Sequence, residues 1–497
     1  MTVVETRDGK LRGARDGLAV FRGIPYAAPP VGPLRLRPPR PARPWPGVRD
    51  ALRPGPSAPQ VPGPLSTLLG TGADARSEDC LYLDVWTPGL DDARRPVLVW
   101  LHGGGFTNGA GSQPVYDGGL LARRGDALVV TPNYRLGVLG WLALPALAEE
   151  EGGAAGNFGL LDQIAALQWV RDNARAFGGD PENVTLFGES AGAMSVGTLL
   201  GCPRARGLFR RAILQSGAAH NAHTAEGAEL VARALLDELG LGPRDAAALR
   251  ALPVQAILAV QQRVLERPIP GARGLRFQPV VDGDVLPRSP LAAIEAGSAE
   301  GVAVLAGSNL DEYKLWRLTD PKAGSLDEAA LLRRCQRNVP GHAERAVRVY
   351  RQAREGRHPT EPPELWFAIE SDRIFRYPAM RLLEAQAPHA PATRAYLFTW
   401  ASPALGGALG SCHALDVPFV FGRLEHEAIR GFVGTDDDAR ALAREMQDAW
   451  LAFARGEAPR DWPAYEPGTR ATRILGRSRS VASAPFEAER AFWEGIL

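Results

Sequence analysis

The 497-residue chain has only four cysteines, Cys80, Cys202, Cys335 and Cys412. Their spacings fit no metal-ligand pattern and no dense disulfide framework. Four reduced thiols in a cytoplasmic protein are therefore expected. Net charge is equally scarce, with 57 basic residues against 56 acidic ones. Bulk electrostatics thus favour neither nucleic acid nor an anionic membrane as a partner. Lysine is nearly missing; Lys10, Lys314 and Lys322 are the only three, and the other cations are arginines. No window of about 18 apolar residues occurs, which excludes a transmembrane helix. Residues Met1 to Lys10 lack a basic stretch leading into an apolar one, so no secretory signal is expected. What remains is 45% hydrophobic and 23% charged, an ordinary balance for a globular protein, in a chain long enough to bury a large core without staples.

Against that plain background one stretch stands out: Val184-Thr185-Leu186-Phe187-Gly188-Glu189-Ser190-Ala191-Gly192-Ala193. A β-branched and apolar run enters Gly-x-Ser-x-Gly, and small helix-forming residues follow to Leu200. The order is strand, corner, helix, which lifts a serine hydroxyl above the edge of a sheet. Gly188 and Gly192 are required because a Cβ at either place would collide where the chain doubles back. The free N–H groups at the start of the helix face whatever negative charge develops at the serine.

Around this corner, strands and helices alternate. Thr2–Thr6, Leu18–Phe21, Leu81–Trp86, Pro96–Leu101, Ala127–Pro132, Ala212–Gln215, Val302–Ala306 and Thr393–Trp400 read as strands. Gly159 to Phe177, Glu226–Leu239, Arg244–Leu252, Asp438–Arg455 and Phe486–Leu497 read as helices, with mostly amphipathic helix from about 325 to 388. Pro96–Leu101 is almost unbroken apolar residue, as a strand covered on both faces requires. Residues 25 to 64 are dense in proline and cannot form helix or central strand. Phe21, Ile24, Tyr26, Leu34, Leu36 and Trp45 give that region enough to bury for an ordered surface wrap. The pattern predicts an α/β fold with a mainly parallel sheet and helices on both faces.

A serine hydroxyl is a poor nucleophile unless a base takes its proton and an acid orients the base. It also needs donors for the oxyanion formed at an attacked carbonyl. His102-Gly103-Gly104-Gly105-Phe106 follows a buried strand, and its glycines leave the amides of Gly104 and Gly105 free to join that of Ala191 as such donors. No Gly-Lys-Ser/Thr follows, which argues against a phosphate loop. His413, where small residues lead into Val417–Phe421, is the best-placed base. His220 and His223 follow a strand end at Gln215-Ser216-Gly217. His102 reads as a loop-shaping residue, and His342, His358, His389 and His426 as solvated surface. The acid should precede the histidine, after Ala303–Ala306, where Asp311 and Glu312 are both candidates. Spacing does not separate them.

Seven blocks along nearly the whole chain resemble the type-B carboxylesterases of the α/β-hydrolase superfamily, the group that holds bacterial para-nitrobenzyl esterases, animal carboxylesterases and cholinesterases. The blocks are Phe21–Ala27, Ser77–Leu83, His102–Phe106, Gly156–Gln163, Phe177–Pro181, Gly188–Gly192 and His413–Phe421. The resemblance implies a nucleophile at Ser190, an acid at Glu312 and a base at His413, with oxyanion donors at Gly104, Gly105 and Ala191. It places Glu189 and Ser216 close to these three, and makes Arg35 and Glu78 a structural ion pair. It implies a single α/β-hydrolase domain over 1–497, with helical insertions at about 223–297 and 325–388 covering an active-site gorge. The expected activity is hydrolysis of carboxylic esters, short to medium or aromatic, through an acyl-enzyme. No metal and no cofactor is expected, and the partner is a small-molecule ester, not nucleic acid or membrane, for a monomer or weak oligomer. An amidase, carbamate or lactone hydrolase on the same residues is the alternative, and a non-catalytic binding module a remote one. Ser66–Arg76 carries no aromatic residue where cholinesterases rest a quaternary ammonium on tryptophan, which argues against choline esters. No cysteine precedes Cys80, the position that secreted relatives pair with an upstream one. Candidate pocket walls are Pro62–Ala75, Phe106–Asn108, Leu315–Leu318 and Trp366–Phe375.

Overall fold

Residues 1–63, 75–149 and 154–497 are described by the computed structural model of the chain. Most of the pocket-wall candidate Pro62–Ala75 lies outside them. Thirteen strands among the described residues form one sheet. They are β1 (Thr2–Thr6), β2 (Gly9–Asp16), β3 (Leu18–Pro25), β4 (Val48–Asp50), β5 (Tyr82–Thr87), β6 (Arg95–Leu101), β7 (Leu128–Pro132), β8 (Gly179–Glu189), β9 (Arg211–Gln215), β10 (Ala303–Asn309), β11 (Arg394–Phe398), β12 (Thr472–Leu475) and β13 (Ser480–Ala482). Their order is β1-β2-β3-β5-β7-β6-β8-β9-β10-β11-β12-β13, with β4 beside β2. From β7 to β12 every pairing is parallel, and the pairings at the ends of that order are antiparallel.

The apolar run of β6 explains its central place. Val97, Val99 and Leu101 pack into one hydrophobic cluster, and Leu98 and Trp100 into another on the opposite face. The same alternation continues through Leu186 and Phe187 of β8, Ile213 and Leu214 of β9, and Leu305 and Ala306 of β10. A period of two thus sends successive side chains to two separate covered faces. Helices Phe158–Asn173 and Ala191–Gly201 contribute to the first cluster, and helix Asp437–Arg455 to the second.

Between about 223 and 297 lie helices Ala225–Leu239, Ala246–Ala251, Val254–Glu266 and Pro290–Glu295. Between about 325 and 388 lie Glu328–Asn338, Ala343–Arg354, Pro362–Ser371 and Tyr377–Gln386. The last two are joined by a π-helical turn, Asp372–Arg376. This second group has its own core of Leu331, Cys335, Tyr350, Leu365, Trp366 and Phe367, closed by Trp493. Trp493 Nε1 donates to the Tyr350 hydroxyl at 2.7 Å.

Several local expectations need correction. The helix read from Gly159 to Phe177 ends at Asn173 and tightens into a 3₁₀ turn, Ala174–Phe177. Phe486–Leu497 shortens to Glu487–Trp493. The proline-rich wrap contains a strand, β4, which pairs with β2 in the stretch after Pro46. His342, His358, His389 and His426 are half-buried rather than solvated; His389 Nε2, for instance, meets the Glu295 carbonyl at 3.1 Å. All four cysteines are free and buried. No helix among the described residues is long and apolar enough to cross a membrane.

Candidate active site

Because β8, β9, β10 and β11 run parallel and in register, their carboxyl ends gather at one edge. Glu189 pairs with Gln215, and Asn309 with Phe398. Loops leaving that edge carry the candidate site residues, as expected for an open α/β sheet. Ser190 follows β8 directly, the turn with Glu312 follows β10, and the loop with His413 follows β11.

Ser190 sits at φ +55° and ψ −125°, a conformation that a non-glycine residue adopts only under restraint. The restraint is visible. A Cβ on Gly192 would lie 1.9 Å from the Leu101 carbonyl oxygen, and one on Gly188 would lie 2.7 Å from the same atom. The Ser190 N–H donates to the Gln215 carbonyl at 2.9 Å. Helix Ala191–Gly201 starts at the next residue and is buried along its whole length. Its first N–H, on Ala191, has no intrahelical acceptor by position.

The glycine loop lies across this corner. A Cβ on Gly103 would be 3.1 Å from the Ser190 Cβ and 2.7 Å from Glu189 Oε2. Gly104 and Gly105 adopt φ of +115° and +60°. Among the described residues their N–H groups donate to no acceptor, while the Gly104 carbonyl takes the N–H groups of Thr107 and Asn108. His102 shapes the loop from behind. Its ring stacks on Tyr134 at 4.3 Å, its Nδ1 meets the Gly103 carbonyl at 2.9 Å, and burial pushes its pKa down to about 4.

His413 Nδ1 meets Glu312 Oε2 at 2.6 Å. The other carboxylate oxygen of Glu312 accepts the Asn309 N–H at 2.7 Å, and the His413 N–H donates to the Glu312 carbonyl at 3.1 Å. The resemblance had chosen Glu312 where spacing left Asp311 open; Asp311 contacts Lys314 and the backbone of Ser411 instead. On its other side His413 Nε2 lies 3.1 Å from Glu189 Oε1, without the alignment of a hydrogen bond. The residue next to Ser190 therefore touches the imidazole. The Ser190 hydroxyl itself makes no hydrogen bond to His413 in this structure, a contact that commonly tightens only with substrate bound. Ser216, at φ +55°, is fully buried with an unpartnered hydroxyl, and its N–H donates to the Gly307 carbonyl.

The electrostatics follow from these distances. Burial alone would lower His413, but the carboxylates of Glu189 and Glu312 outweigh it and raise the imidazole above its ordinary value. Burial pushes Glu189 up to about 8, the charge on His413 opposing it and those on Asp416 and Glu312 adding to it.

Sequence reasoning missed one group near the imidazole. Asp416 is fully buried, held by Gln215 Nε2 at 2.8 Å and the Tyr396 hydroxyl at 3.2 Å, and burial lifts it to about 6. Its signal was present, three residues after His413, but an isolated aspartate reads as solvent-exposed. The rings of Phe375 and Trp316 flank His413 at 4.6 and 5.2 Å. They came from segments taken as walls, and of those segments Trp366 lies instead in the core of the second helical group, Leu318 on the surface, and Phe106 fully buried against Trp141. Among the other histidines, His223 is buried with Nε2 on the Arg276 carbonyl at 3.2 Å, and His220 is exposed. Arg35 and Glu78 form the expected bidentate pair, with Nε to Oε2 at 2.6 Å. No group of three or more His, Cys, Asp or Glu side chains among the described residues is disposed to hold a metal.

Residues 1–493 match the carboxylesterase family. The para-nitrobenzyl esterase of Bacillus subtilis is 38% identical over 497 residues, covering 98% of this chain and 97% of that protein. The phenmedipham hydrolase of Pseudarthrobacter oxydans is 39% identical over 486 residues, 95% of each chain. The crystal structure of a Geobacillus stearothermophilus carboxylesterase superposes with a TM-score of 0.89 at 42% identity, over 99% of this chain and 100% of that one.

Proposed function

Because the chain belongs to the carboxylesterase family and is a carboxylic ester hydrolase, we propose that Ser190 is its nucleophile, His413 its general base and Glu312 the carboxylate that orients the base. The observation that carries this reading is the 2.6 Å contact between His413 Nδ1 and Glu312, made beside a strained serine corner. His413 Nε2 takes the Ser190 proton as Oγ bonds to the ester carbonyl carbon. The carbonyl oxygen becomes an oxyanion, accepting the N–H groups of Gly104, Gly105 and Ala191. Collapse of this intermediate breaks the ester C–O bond, and His413 passes the proton to the departing alcohol. Water then repeats the sequence on the acyl-enzyme, releasing the acid and restoring Ser190. Glu312 holds the proton-bearing Nδ1 throughout and stabilises the imidazolium. Each oxyanion donor in such a site is worth about 100- to 1000-fold in rate.

The substrate is a small-molecule ester. The rings of Trp316 and Phe375 beside the imidazole favour short to medium acyl chains or aromatic esters. A panel of para-nitrophenyl esters from acetate to palmitate tests that preference, and a maximum at palmitate would refute it. Nothing in the geometry favours the amide, carbamate or lactone alternatives over ester hydrolysis. The same reading treats residues 1–497 as one domain with helical insertions, acting in the cytoplasm as a monomer or weak oligomer without nucleic acid or membrane partners.

Ser190→Ala is the direct test of the triad. The variant should still bind an ester analogue yet lose nearly all turnover of a chromogenic ester. Retention of a tenth or so of the wild-type rate, against the losses of about 10⁴-fold or more usual for such nucleophiles, overturns the assignment.

A further inference from the structure

Asp311 and Glu312 are adjacent carboxylates that the spacing of the chain could not tell apart, and the proposed mechanism uses only one. We infer that Asp311 is a positioning residue, whose carboxylate clamps the loop carrying His413 onto the turn carrying Glu312. The inference rests on the triad reading above.

The clamp is a closed set of short contacts. The Asp311 N–H donates to the Ser411 carbonyl at 2.9 Å, and the Ser411 N–H donates back to Asp311 Oδ2 at 3.0 Å. This two-bond ring joins the loops two residues before His413. Gly410 makes room for it. Its φ is +54°, and a Cβ there would lie 2.4 Å from Asp311 Oδ2. The second carboxylate oxygen is also engaged. Lys314 Nζ lies 3.0 Å from Asp311 Oδ1 and 2.8 Å from Glu364, on helix Pro362–Ser371 of the second insertion. One of only three lysines in the chain thus ties the clamp to the helical cover. Asn309 adds a parallel strut, with Nδ2 donating to the Cys412 carbonyl at 2.7 Å.

Division of labour between the two carboxylates follows. Glu312 faces the imidazole and shares in its proton chemistry. Asp311 faces the backbone that presents the imidazole. Acyl transfer needs Nδ1 at Glu312 and Nε2 at the Ser190 oxygen together, so a small displacement of the loop loses both. An asparagine at 311 keeps one acceptor oxygen but must turn its NH₂ toward either the Ser411 N–H or the Lys314 ammonium. An alanine leaves the Ser411 N–H without a partner. The groups facing His413 are Glu312, Glu189 and Asp416. Those facing Asp311 are Lys314, Glu364 through the lysine, and at longer range His358 and Cys412.

The test compares Asp311→Asn and Asp311→Ala with wild type, with Ser190→Ala and Glu312→Gln as references. On a para-nitrophenyl ester, kcat should fall about 10-fold in Asp311→Asn and about 100-fold in Asp311→Ala, with KM changed by no more than about 2-fold. The acid limb of the kcat/KM profile should move to lower pH, because a slackened Glu312 contact no longer raises His413. Glu364→Gln, which leaves the Ser411 ring intact, should keep the limb where it is. Should Asp311→Ala fail to fold by near-UV circular dichroism, Asp311→Asn carries the test. Wild-type kcat in a folded variant overturns the inference, as does an activity loss that tracks thermal stability with an unmoved acid limb. A wild-type rate in Glu312→Gln or substantial turnover in Ser190→Ala overturns the triad reading instead.

Discussion

Glu189→Gln isolates the second carboxylate at the imidazole while keeping the shape of the side chain. Glu189 Oε1 lies 3.1 Å from His413 Nε2. Two unit charges at that separation interact by about 1.3 kcal/mol in water and about 5 kcal/mol at an effective dielectric of 20. At 1.36 kcal/mol per pKa unit, these bracket a shift of about 1 to 4 units. Glu189 is itself pushed up to about 8 by burial, so the two groups exchange one proton over a shared range and only part of the Coulomb energy is expressed. The low end, about 1 unit, is the expected change. The sign is fixed by the chemistry. With His413 as the proposed general base, hydrolysis requires it neutral; its pKa is raised, so activity should be lost as pH falls through that raised value. Removing a nearby carboxylate lowers the value and extends activity to more acidic solution. The assay is kcat/KM for a soluble chromogenic ester from about pH 5 to about pH 9, where the acid limb reports the free enzyme. An acid limb that stays in place in the folded variant, or moves to higher pH, would refute the claim that Glu189 acts on His413 through its charge.

Three further outcomes follow from packing. Gly192→Ala places a Cβ 1.9 Å from the Leu101 carbonyl oxygen; it should cost about 1–3 kcal/mol in urea unfolding and lower kcat, and an unchanged kcat would contradict the tight corner. Asp162→Ala strands the Arg135 guanidinium, whose partner is wholly buried, at about 3–5 kcal/mol, whereas replacing both residues by apolar ones should recover much of that loss. Trp493→Ala opens the core of the second helical group at a fully buried site, at about 3–5 kcal/mol, and limited proteolysis should then cut first between 325 and 388.

What could be read from the sequence was whatever rests on neighbours along the chain. Val97–Leu101, Gly103–Gly105 and Gly188–Gly192 announce a buried strand, an open loop and a corner because their constraints are local. Short pieces that exist only through distant partners gave no such signal. The strand β12, Thr472–Leu475, carries an arginine and is stabilised by pairing with β11 and β13. The π-helical turn Asp372–Arg376 lies inside what reads as continuous amphipathic helix, yet it sets Phe375 against His413. The site divides the same way. Ser190 was evident from its flanks. The choice of Glu312 over Asp311 as the expected acid needed the family resemblance; in the structure Glu312 contacts His413, and Asp311 contacts Lys314 and Ser411. The place of Asp416 depends on Gln215, 201 residues away along the chain, and on Tyr396, 20 residues away.

The corner at Ser190 also bears on how such a protein evolves. Its left-handed backbone geometry stores roughly 1–3 kcal/mol, which the surrounding glycines and the Gln215 carbonyl hold in place. A glycine at 190 would relieve that strain and at once remove the hydroxyl proposed as nucleophile. Selection for heat endurance and selection for turnover would therefore pull in opposite directions at this one codon.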